Sequence, residues 1–343
     1  MSVVWTILTV VGYVVAVAAA LLVFLLAVLA VDTLFARSAD SRLDLYRVDH
    51  RRGGSVSHRQ IQHHEIRSVK QRRVAVLWLP GILARENQID PIVSLFAGRD
   101  VYAARYAGRR FDGPKVIVPQ VTVILHLLAN VYDEIIVIGA SHGGMVGTQA
   151  IDGIDAGVKS KIKQFIVFDS PTGADDFLSM PPAAVPFFTW FRPGVLSNIV
   201  FAWVLPLLNK LGGLPKEINI IRPDRENLQR LGLSHDTTYR EFVDWVQDSA
   251  KRNLSGHRFS LWYSELRDMI ESGRRGLPYT GLHGIEVMYL ECLRNDTVKQ
   301  PDAVNVWANE ANAMVYQLNM THCGMVENLD AIVTLLRVNL QYR

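Results

Sequence analysis

With 343 residues, 49% of them hydrophobic, the chain can bury the core of one large domain, or of a domain with an inserted subdomain, which excludes disorder as its main state. The 36 Lys and Arg against 33 Asp and Glu leave a net charge of +3, yet residues 37–73 alone carry +6. No basic helix or aromatic-interleaved groove accompanies that excess, so it points to a membrane surface and away from nucleic acid.

From Met1 to Val31 there is no charged side chain, and the run exceeds the length needed to cross ~30 Å of hydrocarbon even with tilt. A cleaved signal peptide would need a basic leader and a shorter apolar stretch. Residues 1–36 therefore read as an N-terminal transmembrane anchor. Arg37, Arg42, Arg47, Arg51 and Arg52 follow the span and no basic residue precedes it. The positive-inside tendency then places the following domain in the cytoplasm, on a single-pass membrane protein.

Residues 37–73 form a basic linker in which RLDLYRV and RQIQHHEI are candidate edge strands. His63-His64-Glu65 lacks the spacing that puts two imidazoles on one helix face, so it reads as a solvated polar segment and no metal site is expected. From residue 74 the pattern is regular: a strand at 74–79, a helix around 89–97, a strand at 101–107, a helix near 118–130, a strand at 134–139, a helix over 142–156 and a strand at 165–169. Nearly continuous apolar strands alternating with helices indicate parallel β-α-β units buried on both faces.

EIIVIGASHGG at 134–144 carries the most functional information. A strand ending at Gly139, Ser141 in a Gly139-Ala140-Ser141-His142-Gly143 frame, and an immediate helix make a nucleophile elbow. Such a turn closes only where the flanking residues are small, as Gly139, Ala140 and Gly143 are.

After Asp169 the alternation stops, and residues 174–283 read as an inserted helical cap. Its first part, 177–208, is apolar and aromatic but interrupted by prolines, Arg192 and Asn198, so it is no second span. It suits either a lid facing an acyl chain or bilayer, or a cap packed on its own core. The rhythm resumes over 284–343 with a strand at 285–292, a helix near 301–310, a strand at 313–318 and a helix near 325–340.

Strand, elbow, helix, strand, cap, strand with a following acid, then strand with a following histidine resembles the α/β-hydrolase superfamily over about residues 70–343. The resemblance implies a mostly parallel central sheet flanked by helices, an α/β fold with core segments 74–173 and 284–343. It also implies a Ser-Asp-His order for the catalytic residues, met here by Ser141, Asp296 and His322. Asp169, after the preceding strand, is the alternative carboxylate. Backbone N–H groups of His142 and Ile82 are the candidate oxyanion donors, although Pro80-Gly81 stands where family members often carry His-Gly. The expected function is a membrane-anchored serine hydrolase of hydrophobic or lipid-like carboxylic esters. Amide hydrolysis, acyl transfer and a non-catalytic hydrolase-fold binding protein are the alternatives. The expected partners are a small ester and the membrane, with no cofactor and no metal. Cys292 and Cys323 read as buried thiols more readily than as a disulfide.

Overall fold

A computed structural model describes the chain except residues 1, 35–40, 51–55, 68–72, 83, 109, 173–185, 187–188, 201–220, 255–258, 295–301, 323–324 and 342–343. It opens with helix α1, Ser2–Leu34, 33 residues long. At ~1.5 Å per residue this is about 50 Å, more than the ~30 Å of a bilayer core. Tyr13, Leu21, Leu22, Val23 and Phe24 of α1 are all more than half exposed. Among its described side chains, Leu29 and Asp32 in the last turns are buried.

Among the described residues eight strands follow: β1 Ser41–His50, β2 Val56–Ile61, β3 Val74–Leu79, β4 Asp100–Gly108, β5 Glu134–Ala140, β6 Ile162–Phe168, β7 Glu286–Cys292 and β8 Met314–Leu318. They form one sheet in the order β2-β1-β4-β3-β5-β6-β7-β8. Pairing is parallel from β4 through β8, while β1 runs antiparallel to both β2 and β4. The long helices are α2 Val118–Val131, α3 His142–Asp152, α4 Tyr239–Leu254, α5 Phe259–Arg275, α6 Asp302–Glu310 and α7 Leu329–Gln341.

The apolar strand sequences are explained by burial on both faces. Successive strand side chains point to opposite sides. Leu77, Leu79, Val137, Phe165 and Val167 pack with Val121, Ile124 and Leu125 of α2 and with Met145 and Val146 of α3. Their sequence neighbours Val76, Trp78, Ile136, Ile138, Ile166 and Phe168 pack on the other face, against Ile332, Val333 and Leu336 of α7. The helix expected around 89–97 is a run of short turns, Glu86–Ile89, Asp90–Val93 and Ser94–Phe96, whose apolar side chains join that second face. Gly113–Val131, which includes α2, is apolar and long enough to cross a membrane by composition alone, but its buried side chains belong to the first face.

One arginine of the basic segment before β3 is buried in the sheet. Arg47 is 5% exposed and its Nη2 donates to Asp100 Oδ1 at 2.6 Å. Tyr132 donates to the other oxygen of Asp100 at 2.8 Å, so the buried charge pair is held from both sides. Arg42 is paired with Asp44 at 3.2 Å. Two of the five arginines read as an inside-positive flank are thus engaged within the sheet region, while Arg37, Arg51 and Arg52 lie outside the described residues.

Between β6 and β7 the described residues are helical or irregular, with no strand. Within this insertion α5 returns to the body of the protein, where Ser264 Oγ accepts a hydrogen bond from Phe111 N at 2.6 Å. Leu228, Phe242 and Val246 form a separate small core.

Candidate active site

β5 is the fifth strand of the order and lies between β3 and β6, so its end is walled on both sides. Ser141 follows it at φ 49° and ψ −119°, outside the regions that side chains ordinarily occupy. Its N–H donates to Phe168 O at 2.8 Å, which extends the β5-β6 ladder one step and holds the strained turn. The glycines permit the approach of strand and helix. A Cβ on Gly139 would stand 2.7 Å from Gly144 Cα, and one on Gly143 would overlap the Leu79 carbonyl. Ser141 itself is 5% exposed.

His322 lies in the loop after β8 and bridges two groups. Its Nε2 is 2.8 Å from Ser141 Oγ, and its Nδ1 is 2.8 Å from Asp169 Oδ2. The partner carboxylate is therefore the one after β6, where the sequence reading favours Asp296. Asp296 lies outside the described residues, and the position it was expected to fill on His322 belongs to Asp169. The physical reason is adjacency. β6 is the direct neighbour of β5, and Asp169 takes a left-handed conformation, φ 48°, at the strand end. Its N–H donates to Leu290 O at 3.0 Å, and the side chain is fully buried.

Residues not singled out from sequence hold these loops. Trp307 Nε1 and Tyr289 OH both donate to Ser170 O, at 3.0 and 3.3 Å, and so brace the turn that carries Asp169. Glu327, 5% exposed, accepts from Thr321 N at 2.8 Å and Thr321 Oγ1 at 2.5 Å, and from Arg294 Nη2 at 3.2 Å. It thereby ties the residue before His322 to the loop after β7. No local sequence signal marks Glu327, which reads as one acid in an amphipathic segment.

The donors expected for an oxyanion flank the serine. His142 begins α3, where the first backbone N–H groups have no intrahelical acceptor. On the other side Gly81 packs so closely that an added Cβ would lie 3.2 Å from Ser141 Cβ and from Ala140 O. Ile82 is next in that turn. The His142 ring faces away from solvent altogether: Nε2 is 3.0 Å from Asp268 Oδ2 of α5, and Nδ1 is buried with no partner. The rings of Phe111 and Tyr106 enclose it at centroid distances of 4.7 and 5.9 Å. Burial, with Glu265 and Asp268 nearby, pushes the Tyr106 phenol well above its ordinary value, so it packs as a neutral group. Among the described residues no group of three or more His, Cys, Asp or Glu side chains could hold a metal ion. Cys292 is buried at the end of β7, and Cys323 lies outside the described residues.

No protein-family model matches the chain, and no curated relative matches it in sequence. Solved structures do match in shape. MenH from S. aureus superposes with a TM-score of 0.52 at 14% identity, covering 81% of this chain and 97% of its own. The enol-lactonase from Burkholderia xenovorans LB400 superposes with a TM-score of 0.51 at 12% identity, covering 87% of this chain and 96% of its own. At such identities the likeness speaks for architecture, and with the strand order, the elbow and the insertion after β6 it leads to one statement: the protein has the α/β-hydrolase fold.

Proposed function

We propose that the protein is a membrane-anchored serine hydrolase acting on carboxylic esters of hydrophobic, lipid-like character. The observation that carries this reading is the hydrogen-bonded line Ser141 Oγ, His322 Nε2, His322 Nδ1, Asp169 Oδ2, with 2.8 Å at each of its two junctions. A serine hydroxyl needs a neighbouring base, and that base needs a carboxylate to fix its tautomer and stabilise its cation. In this mechanism Ser141 Oγ attacks the ester carbonyl carbon while His322 Nε2 takes the hydroxyl proton. The oxyanion faces the N–H groups of His142 and Ile82, each such donor being worth about 2.7–4 kcal/mol in the transition state. Collapse expels the alcohol, which leaves with the proton from His322. Water, deprotonated by the same imidazole, then attacks the acyl-enzyme to release the acid and restore Ser141. Nothing in this sequence of steps requires a metal or an organic cofactor.

The anchor reading rests on the length and exposed apolar surface of α1, and the preference for hydrophobic esters on an apolar cap beside it. The basic excess of residues 37–73 favours a cytoplasmic domain. Fluorophosphonate labelling of the detergent-solubilised protein tests the chemistry. Ser141 should be modified, and Ser141→Ala and His322→Ala should not be labelled. A folded wild-type chain that fails to label at Ser141 refutes the proposal. Protease added to intact cells should spare the domain, and digestion from outside reverses the orientation.

A further inference from the structure

A cavity of about 540 Å³ opens between α5, the loop after β4 and residues 191–193. Neither Ser141 nor His322 lines it. Its position relative to α1 follows from sheet topology. Because β1 is antiparallel to β4, its first residue pairs with the last of β4, Ser41 with Gly108. The chain leaving α1 therefore enters the sheet at the rim formed by the carboxyl ends of the parallel strands. At that rim the end of α1 is fastened to the insertion. Asp32 accepts from Gly194 N at 2.8 Å, Ser197 N at 2.7 Å and Ser197 Oγ at 2.6 Å, and Thr33 Oγ1 accepts from Arg192 N at 2.8 Å. The fastened segment exposes a cluster of apolar side chains beside the helix end: Trp190 at 76%, Val195 at 54% and Ile199 at 54%. Tryptophan and aliphatic side chains at the end of an apolar helix suit the headgroup level of a bilayer.

The cavity walls are cationic. Arg110, Arg192 and Arg267 line it together with Lys115 and Arg275. Three carboxylates face the same space, and each is already committed: Asp112 to Lys115 N, Asp268 to His142, Glu271 to Arg267. Five cations against three anions leave two positive charges over. Arg110 donates to the carbonyl oxygens of Pro193 and Arg192, and the Asp32 carboxylate at the end of α1 acts on it. Burial and the neighbouring Arg192 pull its guanidinium below its ordinary value, against the pull of Asp32, with Arg267 adding to the crowding. Guanidinium groups gathered in this way match phosphate oxygens in pairs, and the volume is in the range of small-molecule sites.

We propose that this cavity binds the phosphate headgroup of an anionic phospholipid from the leaflet into which α1 inserts. The proposal rests on the membrane reading of α1 and is independent of the chemistry at Ser141. Native mass spectrometry of the full chain in detergent, with phosphatidylglycerol, phosphatidylcholine or inorganic phosphate added, tests it. The wild type should retain one phosphatidylglycerol at least about tenfold more strongly than phosphatidylcholine, because both bring the phosphate but only phosphatidylcholine adds a quaternary ammonium that the surplus positive charge repels. Arg110→Gln and the exposed Arg192→Gln should each remove that preference, while Arg230→Gln, in the helix Arg225–Arg230 and outside the cavity lining, should retain it. Equal retention of both lipids, or a preference that survives Arg192→Gln in folded protein, overturns the proposal. Inorganic phosphate that binds as well as the lipid and displaces it assigns the cavity to a free anion and also overturns it. Fluorophosphonate labelling of the same samples separates failure here from failure of the hydrolase reading, and alkaline extraction of membranes separates it from failure of the anchor.

Discussion

Replacing Asp169 by Asn gives the sharpest test of the catalytic line. The carboxylate is fully buried and meets His322 Nδ1 at 2.8 Å. Asn is nearly isosteric and tolerates the left-handed conformation that Asp169 adopts, so the turn should survive the change. If the new amide oxygen faces Nδ1, the tautomer is kept and only the charge is lost, a penalty of about 1.5–3 kcal/mol for a hydrogen bond to a charged group. If the amide nitrogen faces Nδ1, the imidazole must carry its proton on Nε2, where it can no longer accept from Ser141, and the loss approaches ~10⁴ in kcat. The expected fall is therefore between about 10 and 10⁴, or roughly 1.5–5.5 kcal/mol at 1.36 kcal/mol per decade. The assay is turnover of a chromogenic acyl ester beside the rate of fluorophosphonate labelling, with folding checked by circular dichroism. Asp296→Asn should change either rate by less than about threefold, as a substitution that leaves the line from Ser141 through His322 to Asp169 intact would. A loss below tenfold for Asp169→Asn, or an equal loss for Asp296→Asn, refutes the assignment of Asp169.

Gly143→Ala should destabilise the fold by about 1–3 kcal/mol or more, because its methyl group meets the Leu79 carbonyl and not a yielding side chain; a urea midpoint equal to wild type contradicts this. Glu327→Gln keeps the shape but removes the charge that Arg294 and Thr321 share, so labelling at Ser141 should slow about tenfold, in line with a lost hydrogen bond to a charged group. That loss should appear with Asp169 and Ser141 unaltered, and an unchanged labelling rate removes Glu327 from the positioning of His322. Asp100→Asn leaves the buried Arg47 with only the half-exposed Asp49, 3.6 Å from its Nε, as counter-charge and should cost about 3 kcal/mol, read as a lower midpoint in thermal unfolding; retention of the wild-type midpoint shows the pair to be dispensable.

The sequence made different parts of this molecule visible for different reasons. The elbow is legible because its geometry demands small residues at fixed short spacing, and Gly139, Ala140 and Gly143 lie within five positions. The parallel strands are legible because burial on both faces leaves uninterrupted apolar runs. The choice between Asp169 and Asp296 was not, since both follow strands and the decision depends on which strand neighbours β5 and on a backbone conformation that no residue type enforces. Arg47 is an intermediate case. Counted as a charge it suggests a surface. Counted along the strand it lies two residues beyond Leu45 and four beyond Leu43, on the face those leucines bury. Its buried partner, Asp100, is 53 residues away, and the nearby Asp49, 3.6 Å from its Nε, is half-exposed, so the contact that makes its burial tolerable has no local trace.

The same antiparallel strand decides where a membrane would stand relative to the chemistry. Loops at the carboxyl ends of parallel strands share one rim, and Ser141, Asp169 and His322 all sit there. Had β1 run parallel to β4, the chain from α1 would enter at the opposite rim, with the sheet between anchor and nucleophile. Running antiparallel, it begins beside Gly108, on the catalytic rim, and Asp32 and Thr33 fasten the helix end to the segment that opens the insertion. Asp268 of that insertion in turn holds the His142 ring directly after the nucleophile. A line of buried or half-buried hydrogen bonds thus runs from Asp32 at the end of α1 to Ser197, from the adjacent Asn198 to Ser260 of α5, and from Asp268 of α5 to the His142 ring beside the nucleophile. If α1 inserts in a bilayer as proposed, the rim that carries Ser141 is the one on which the chain from α1 enters the sheet.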